Sequence, residues 1–384
     1  MKNNYVYFIV LMTFAIMPFS LQAAEVWSQK NIIWERSFGQ DGYSYTKMAV
    51  FLSSNDNNLH ISGPVTLPYK IKKQNKGLFV WEVNKSGEML TNILLSETYQ
   101  EIEKLLEVAD ITSFKNNRIV AAVTNENGKQ FLANINKLGK VTVVKNLEPE
   151  VEILKIISNK DGSYLLIGRD SLKELVIKTN ASGTELWRKV FERGRNDMVV
   201  DGIGIEGGGF LLIENSGKVE KFFMGESDLF VARYDSRGER VNERYLPGRN
   251  GSIARGKDGN YVIVYDKSAT AEQDIWVQAY DKNLNPLWNQ KITAIKFGLE
   301  RFKIVSLANG NYVVAGSVNG KPWVSYLDST GAKKWDHLST EKEFGVGVDL
   351  VADDNDCYLL STIITLNAEK AMINKVKVIK FKPQ

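Results

Sequence analysis

Two histidines, His60 and His337, and one cysteine, Cys357, are the side chains of this 384-residue chain best suited to metal binding, nucleophilic attack or proton transfer near neutrality. The histidines stand 277 positions apart. One cysteine cannot form an internal disulfide, and zinc sites built on cysteine need several. His60 follows Leu59 in a strand-like position, and His337 follows Trp335 by two residues. Both read as packed histidines. The acids are scattered and sit mostly among turn residues, so we read no Ser/His/Asp trio, no catalytic residue and no metal-ligand set, and expect no cofactor. Glu206-Gly207-Gly208-Gly209-Phe210 would cradle a phosphate only between a strand and a helix N-terminus. It lies between two apolar strands and reads as a turn. Asn180-Ala181-Ser182 and Asn250-Gly251-Ser252 satisfy the glycosylation rule, and both fall in predicted turns.

The elements that must position any site repeat along the chain. Ile304 to Gly316 and Trp323 to Trp335 read as four short strands, with hairpin turns at Asn309-Gly310 and Asp328 to Gly331. Related segments begin at Asp161, Gly208 and Asp258, weaker copies at Asn57 and Asn116, and a last half copy at Asn355. Cys357 stands where the stronger copies carry Ser163, Asn260 and Asn311, so it reads as an incidental thiol. The second turns fall at 87, 139, 183, 238, 284 and 331, a spacing of 44 to 55 residues. That period is the size of a four-stranded propeller blade. Leu284 replaces the glycine in one copy, where Asn283 and Asn285 are expected to take over the turn.

Seven first hairpins predict an all-β, seven-bladed β-propeller of four-stranded antiparallel blades. Six or eight blades are the alternatives if the weak copies are miscounted. The last copy lacks its fourth strand, and Ile32 to Phe38 resembles Glu185 to Phe191, the fourth strand of another copy. Pairing of this N-terminal strand with the last blade would close the ring and bury both sheet edges. Glu97 to Val108 puts Ile102, Leu105 and Leu106 on one helical stripe. This segment reads either as a short connecting helix or as an extended strand.

The segment Asp328 to Gly331 followed by Trp335, with Asn180 to Gly183 before Trp187 and Asp281 before Trp288, resembles the blade signature of pyrroloquinoline-quinone-like (quinoprotein-type) propellers. The resemblance implies the fold and a tryptophan docked after each turn. It spans most of the chain but is specific in three blades. The family includes quinone-dependent dehydrogenases and non-catalytic periplasmic scaffolds. Dehydrogenase activity would imply a calcium-bound quinone site, and no adjacent cysteine pair is present.

Met1 to Asn4 is a short positive start, Tyr5 to Leu21 is almost wholly apolar, and Gln22-Ala23-Ala24 supplies small residues before polar sequence. This layout reads as a cleavable secretory signal over residues 1–24, leaving one propeller domain over 25–384. Export without disulfides suits a bacterial periplasm better than a eukaryotic extracellular space, so the protein is expected to be periplasmic or secreted. With 49 basic and 45 acidic residues the chain is too balanced for a nucleic-acid partner.

In a blade with strands A to D, the A–B and C–D turns share one face, and the B–C and D–A connections share the other. The first set is uniformly short. Long connections lie in the second set, at Pro64 to Gly77, Glu192 to Val200, Glu214 to Ser227, Asp266 to Gln273 and Thr293 to Glu300. Variable loops on a rigid ring are where binding is expected. Lys70, Lys72, Lys73 and Lys76 make one such loop basic, Arg193 and Arg195 lie in another, and Phe222 and Phe223 put aromatics in a third. The reading is an exported, non-enzymatic propeller that binds a protein partner of the cell envelope through this face, as a scaffold or as a toxin inhibitor. A quinone- or calcium-dependent oxidoreductase, or another propeller enzyme, is the alternative.

Overall fold

The computed structural model describes residues 31–383 except 40–42, 46–48, 53–57, 67–75, 96–104, 115–117, 126–128, 137–140, 149, 160–161, 172, 192–197, 217–227, 249, 269–271, 297–301, 319, 340–344, 354–355 and 367–371. Seven antiparallel sheets follow one another along the chain, six of them with their four blade strands in sequence order and the seventh completed by the N-terminal strand. Blade 1 comprises Ala49–Leu52, Leu59–Thr66, Lys76–Val83 and Met89–Leu95. Blade 2 comprises Leu105–Phe114, Arg118–Asn125, Gln130–Ile135 and Val141–Asn146. Blade 3 comprises Val151–Ser158, Tyr164–Asp170, Lys173–Thr179 and Glu185–Phe191. Blade 4 comprises Met198–Gly204, Phe210–Ser216, Asp228–Tyr234 and Arg240–Leu246. Blade 5 comprises Gly251–Arg255, Tyr261–Ser268, Glu272–Tyr280 and Pro286–Lys296. Blade 6 comprises Lys303–Ser306, Tyr312–Val318, Lys321–Leu327 and Lys333–Leu338. Blade 7 takes Gly345–Ala352, Cys357–Leu366 and Met372–Phe381 from the C-terminal end, and its strand D is Ile32–Phe38. A short additional strand, Ser44–Tyr45, pairs with Thr66 and Val65.

Each A strand packs against the A strands of both neighbouring blades, including blade 7 against blade 1, so the ring is closed and the A strands line its axis. Strands B and C are sandwiched between blades and are covered on both faces; Tyr164 to Gly168 and Glu174 to Thr179 are buried without interruption. Strand D, at the rim, alternates between half-buried and exposed. The core is therefore a set of interblade layers. Leu165, Ile167 and Val176 of blade 3 meet Phe210, Leu212, Ala232 and Tyr234 of blade 4 in one of them.

The second turns share one hydrogen-bond plan. In blades 1, 3, 4, 5 and 6, Asn84, Asn180, Asp235, Asp281 and Asp328 each accept two backbone N–H groups on Oδ1, from the residues two and four positions on. The fourth turn position is left-handed, at +83° in Gly87, +78° in Gly238 and +82° in Gly331. Strand D of the preceding blade lays a tryptophan on that glycine: Trp34 on Gly87, Trp187 on Gly238 and Trp288 on Gly331. Trp34 and Trp187 also donate their indole N–H to the second turn residue, Lys85 O at 2.8 Å and Ser236 O at 3.0 Å.

Blade 5 breaks this rule on both sides of the contact. Leu284 itself takes the left-handed conformation, at +63°, so Asn283 and Asn285 do not replace it; they supply the two N–H groups to Asp281. The side chain of Leu284 is fully buried between blades 4 and 5. The tryptophan that would collide with it is missing. Asn242 occupies that position and donates to Asn283 O at 2.7 Å, while Arg233 donates to Lys282 O at 2.9 Å. Burying a leucine is worth about 1.5–3 kcal/mol, which offsets the ~1–2 kcal/mol cost of the left-handed backbone.

The seam is pinned by side chains as well as strands. Lys377, almost wholly buried, meets Glu35 Oε1 at 2.6 Å across the pairing of the N-terminal strand with Met372–Phe381. Lys380 lies 2.8 Å from Asp356 Oδ2, donates to Lys85 O at 3.2 Å and covers the ring of Tyr358. The helical reading of Glu97 to Val108 is not met where the chain is described, because Leu105 to Val108 belong to blade 2's strand A. Ile102 lies outside the described residues.

Gly331 and Gly259 both have positive φ, but a Cβ at Gly331 would sit 2.3 Å from the Trp288 ring, whereas one at Gly259 meets nothing within 4 Å. Gly331→Ala is expected to cost about 2–4 kcal/mol and Gly259→Ala about 1–2 kcal/mol. Urea unfolding of the two variants measures the difference, which is the steric part of the tryptophan contact.

Candidate functional site

The register of strands A and B defines a layer of seven equivalent positions on the ring axis. Ala49 pairs with Ser62, Asp110 with Ala122, Lys155 with Ile167 and Asp201 with Ile213. Ser252 pairs with Val264, Lys303 with Ala315 and Asp349 with Leu360. Each partner pairs on its other side with the residue three before the end of strand C, so the seven share one level. Five of the seven are charged. In blades 2, 3, 4 and 7 a break in pairing register immediately precedes the charged residue, at Val108/Asp110, Ile153/Lys155, Val199/Asp201 and Gly347/Asp349. A bulge shifts the pairing by one residue, and in each of these four strands the residue it places at this level is charged.

Asp201 organises the described part of this layer. It is 3% exposed and accepts from Ser252 Oγ at 2.7 Å, Ile253 N–H at 3.1 Å and Gly202 N–H at 2.9 Å. Lys155 Nζ donates to its Oδ1, and Lys303 Nζ stands 4.0 Å from Oδ2. Ser252 Oγ in turn accepts the Ile304 N–H at 3.4 Å. One carboxylate thus ties together the innermost strands of blades 3, 4, 5 and 6. Burial alone would raise its pKa; the two lysine charges and the hydrogen bonds from Lys155 and Ser252 outweigh it and hold the carboxyl well below the ordinary range. An anion so saturated has no proton to give and little capacity to take one, which makes it a clasp rather than an acid or base. Asp349 uses the same local contact, accepting the Leu350 N–H at 2.9 Å.

The side chains singled out for chemistry are dispersed. His60 is buried in blade 1, opposite Glu82 and Phe51. His337 lies on strand D of blade 6, where burial lowers its pKa against the opposing pull of Asp336. Cys357 is fully buried in the layer between blades 6 and 7, with its thiol pKa pushed up by desolvation and then by Asp353 and Asp356. The glycines at 207 to 209 form the expected turn, closed by Ile205 N–H to Gly209 O at 2.9 Å. Among the described residues, no three His, Cys, Asp or Glu side chains gather as metal ligands.

The two faces differ, but not at every connection the spacing picked out: Asp266 to Gln273, expected to be a long connection, is mostly paired strand, because Ser268 pairs with Gln273 and four residues intervene. C–D connections are all alike: Val83 pairs with Met89, Ile135 with Val141, Thr179 with Glu185, Tyr234 with Arg240, Tyr280 with Pro286 and Leu327 with Lys333, so five residues intervene every time. B–C connections are unequal. Thr66 pairs with Lys76 and Ser216 with Asp228, leaving nine and eleven residues between them, whereas Asp170 with Lys173 and Val318 with Lys321 leave two. Lys76 opens strand C of blade 1 at the root of the nine-residue connection. Lys70, Lys72, Lys73, Arg193, Arg195, Phe222 and Phe223 lie outside the described residues.

The axial charges were missed from the sequence. Their signal is a charge in an apolar run before five of the seven first hairpins, as in Ile153-Leu154-Lys155-Ile156-Ile157. Alignment at one level requires the bulges, which spacing alone does not reveal.

No protein-family model matches the sequence, and no curated protein does either. Among solved structures the chain is similar to a streptogramin B lyase, at 14% identity and a TM-score of 0.57, over 94% of this chain and 100% of that one. It is similar to a virginiamycin B lyase from Staphylococcus aureus at 12% identity and 0.57, over 91% and 98%. Plexin A from Drosophila, solved in complex with semaphorin 1b, aligns at 10% identity and 0.52, over 92% and 87%. These likenesses show the fold alone. The chain is a seven-bladed β-propeller, as the quinoprotein-type blade signature implied.

Asp201→Asn leaves Lys155 without its buried counter-charge and is expected to cost about 3–5 kcal/mol near neutral pH. Because the folded-state pKa is depressed, this stabilisation is full above the unfolded carboxyl range and is lost as pH falls below about 4. Denaturant titrations of both proteins from pH 7 to 3 should show the gap narrowing in acid.

Proposed function

We propose that this chain is an exported propeller that binds a protein partner of the cell envelope through its long-loop face, without catalysing a reaction. The observation that carries the reading is the inequality of the two faces. Every described C–D connection is held to five residues, while the B–C connections range from two to eleven. Loops released from the ring's repeat are free to take a partner's shape, and the rigid ring beneath limits the entropy lost on binding. The saturated Asp201 supports the same reading, since this polar cluster on the axis serves the scaffold. The basic nine-residue connection of blade 1 favours an acidic partner surface, and the aromatics at 222 and 223 are types enriched at interface cores.

The experiment is capture from periplasmic extract with tagged mature chain, beside a variant with Lys70, Lys72, Lys73 and Lys76 changed to Ser. The expected result is one protein retained by the parent and at least tenfold less of it by the variant. Lys257→Ser, on the opposite face, should leave capture unchanged. Equal capture by all three proteins would overturn the assignment of the face, and no capture by any would overturn the binding reading.

A further inference from the structure

Strand C ends with a cation at its penultimate position in blades 3, 4 and 7, and each reaches a turn of the next blade. Lys178, Arg233 and Lys380 donate there to the backbone carbonyls of Gly208, Lys282 and Lys85. Lys178 and Lys380 share a setting, since each pairs across the sheet with a docking tryptophan, Trp187 or Trp34. They differ in counter-charge. Lys380 lies 2.8 Å from Asp356, the residue immediately before strand B of its blade. At that place blade 3 has Ser163, which supplies no carboxylate. Lys178 is 8% exposed, and among the described residues its ammonium meets one acceptor, Gly208 O at 3.0 Å, and no acid. An ammonium has three N–H donors, and a buried cation calls for an anion beside it.

The space beside this ammonium is open. A Cβ on Gly208 would stand 3.2 Å from Lys178 Nζ and 3.6 Å from Ser236 Cβ, and would meet nothing else within 4 Å among the described residues. Gly207, next to it, is exposed, and a Cβ there would meet nothing at all, so the notch opens to solvent. Trp187 holds the far wall by donating to Ser236 O at 3.0 Å. The acids around the notch are engaged by cations of their own, Glu206 by Arg255, Asp235 by Arg237 and Glu239 by Lys189. We propose that the notch over Gly208, between blades 3 and 4, is a carboxylate site in which a ligand oxygen takes beside Lys178 the place that Asp356 holds beside Lys380. Gly207 and Gly208 serve it by leaving the ammonium uncovered, not by cradling a phosphate. The site lies on the short-turn face, opposite the long loops, and does not rest on the binding reading above.

The test titrates the full mature chain, carrying isotope-labelled glycine, with acetate at constant ionic strength. The amide resonances of Gly207 and Gly208 are the reporters, each identified by its loss in the corresponding alanine variant. The expected result is a saturable shift with acetate and none with acetamide, which has the same shape without the charge. Lys178→Met should weaken acetate about tenfold, and Lys178→Arg, which keeps a cation, should hold it within about threefold of the parent. The two glycines carry matched left-handed backbones, at +79° and +77°, yet only a side chain at 208 fills the notch. Acetate should therefore weaken about fivefold in Gly208→Ala and less than about twofold in Gly207→Ala, and this contrast decides the matter if Lys178→Met fails to fold. Aspartate capped as its N-acetyl amide separates the sources: tighter binding than acetate assigns the site to a protein-borne carboxylate, and weaker binding to a free acid. No saturable shift, an equal response to acetamide, equal effects of the two glycine variants, or tighter binding of inorganic phosphate than of acetate would overturn the proposal.

Discussion

Everything in this molecule depends on the pairing of Ile32–Phe38 with Met372–Phe381. Each blade is stable only when both faces are covered, and a row of blades always leaves two uncovered unless its ends meet. Here the ends meet through backbone hydrogen bonds between opposite ends of the sequence. The entropy of closing so long a loop grows only logarithmically with length, whereas closure covers two apolar sheet faces at once. The buried Lys377 with Glu35, and Lys380 shared among Asp356, the Lys85 carbonyl and the Tyr358 ring, add contacts that no other blade can offer the N-terminal strand. They fix its register where a one-residue slip would turn Trp34 and Phe38 out of the core.

Within the closed ring, neighbouring blades are matched as pairs. The rule of a tryptophan on a left-handed glycine holds at three described contacts and is exchanged at a fourth for asparagine and arginine on the two carbonyls before Leu284. The exchange is steric at root. A side chain at the turn and an indole above it claim the same space, so a change on one side requires a change on the other. Along the axis the matching is electrostatic, with Asp201 of one blade satisfied by donors from the two blades that flank it and by a lysine one blade further.

Local chemistry makes much of this legible in the sequence. Asn or Asp followed three residues later by Gly announces a turn through its own side-chain acceptor and a left-handed glycine, without reference to the rest of the chain. Strand D of blade 7 was legible because Ile32 to Phe38 carries the same pattern as Glu185 to Phe191. Leu284 was misjudged because its strain is offset by burial in a layer the sequence does not display. The stripe at Ile102, Leu105 and Leu106 was ambiguous because a short apolar run fits a period of 3.6 as readily as a strand covered on both faces; tertiary pairing placed Leu105 and Leu106 in a sheet. The axial layer was invisible for a different reason. Four bulges shift the register by one residue, and spacing carries no trace of that shift.

The antiparallel sense of the seam also governs how the ring responds to force. Ile32 lies opposite Phe381, and the Lys382 N–H reaches Asn31 O at 2.9 Å, so the chain enters and leaves blade 7 at the same end of the same strand pair. Tension applied between these two points loads the seam's hydrogen bonds one after another, as in a zip, instead of all together in shear. The closing joint is thus the mechanically weakest line of an otherwise tightly bonded ring, and it opens from the face opposite the long loops.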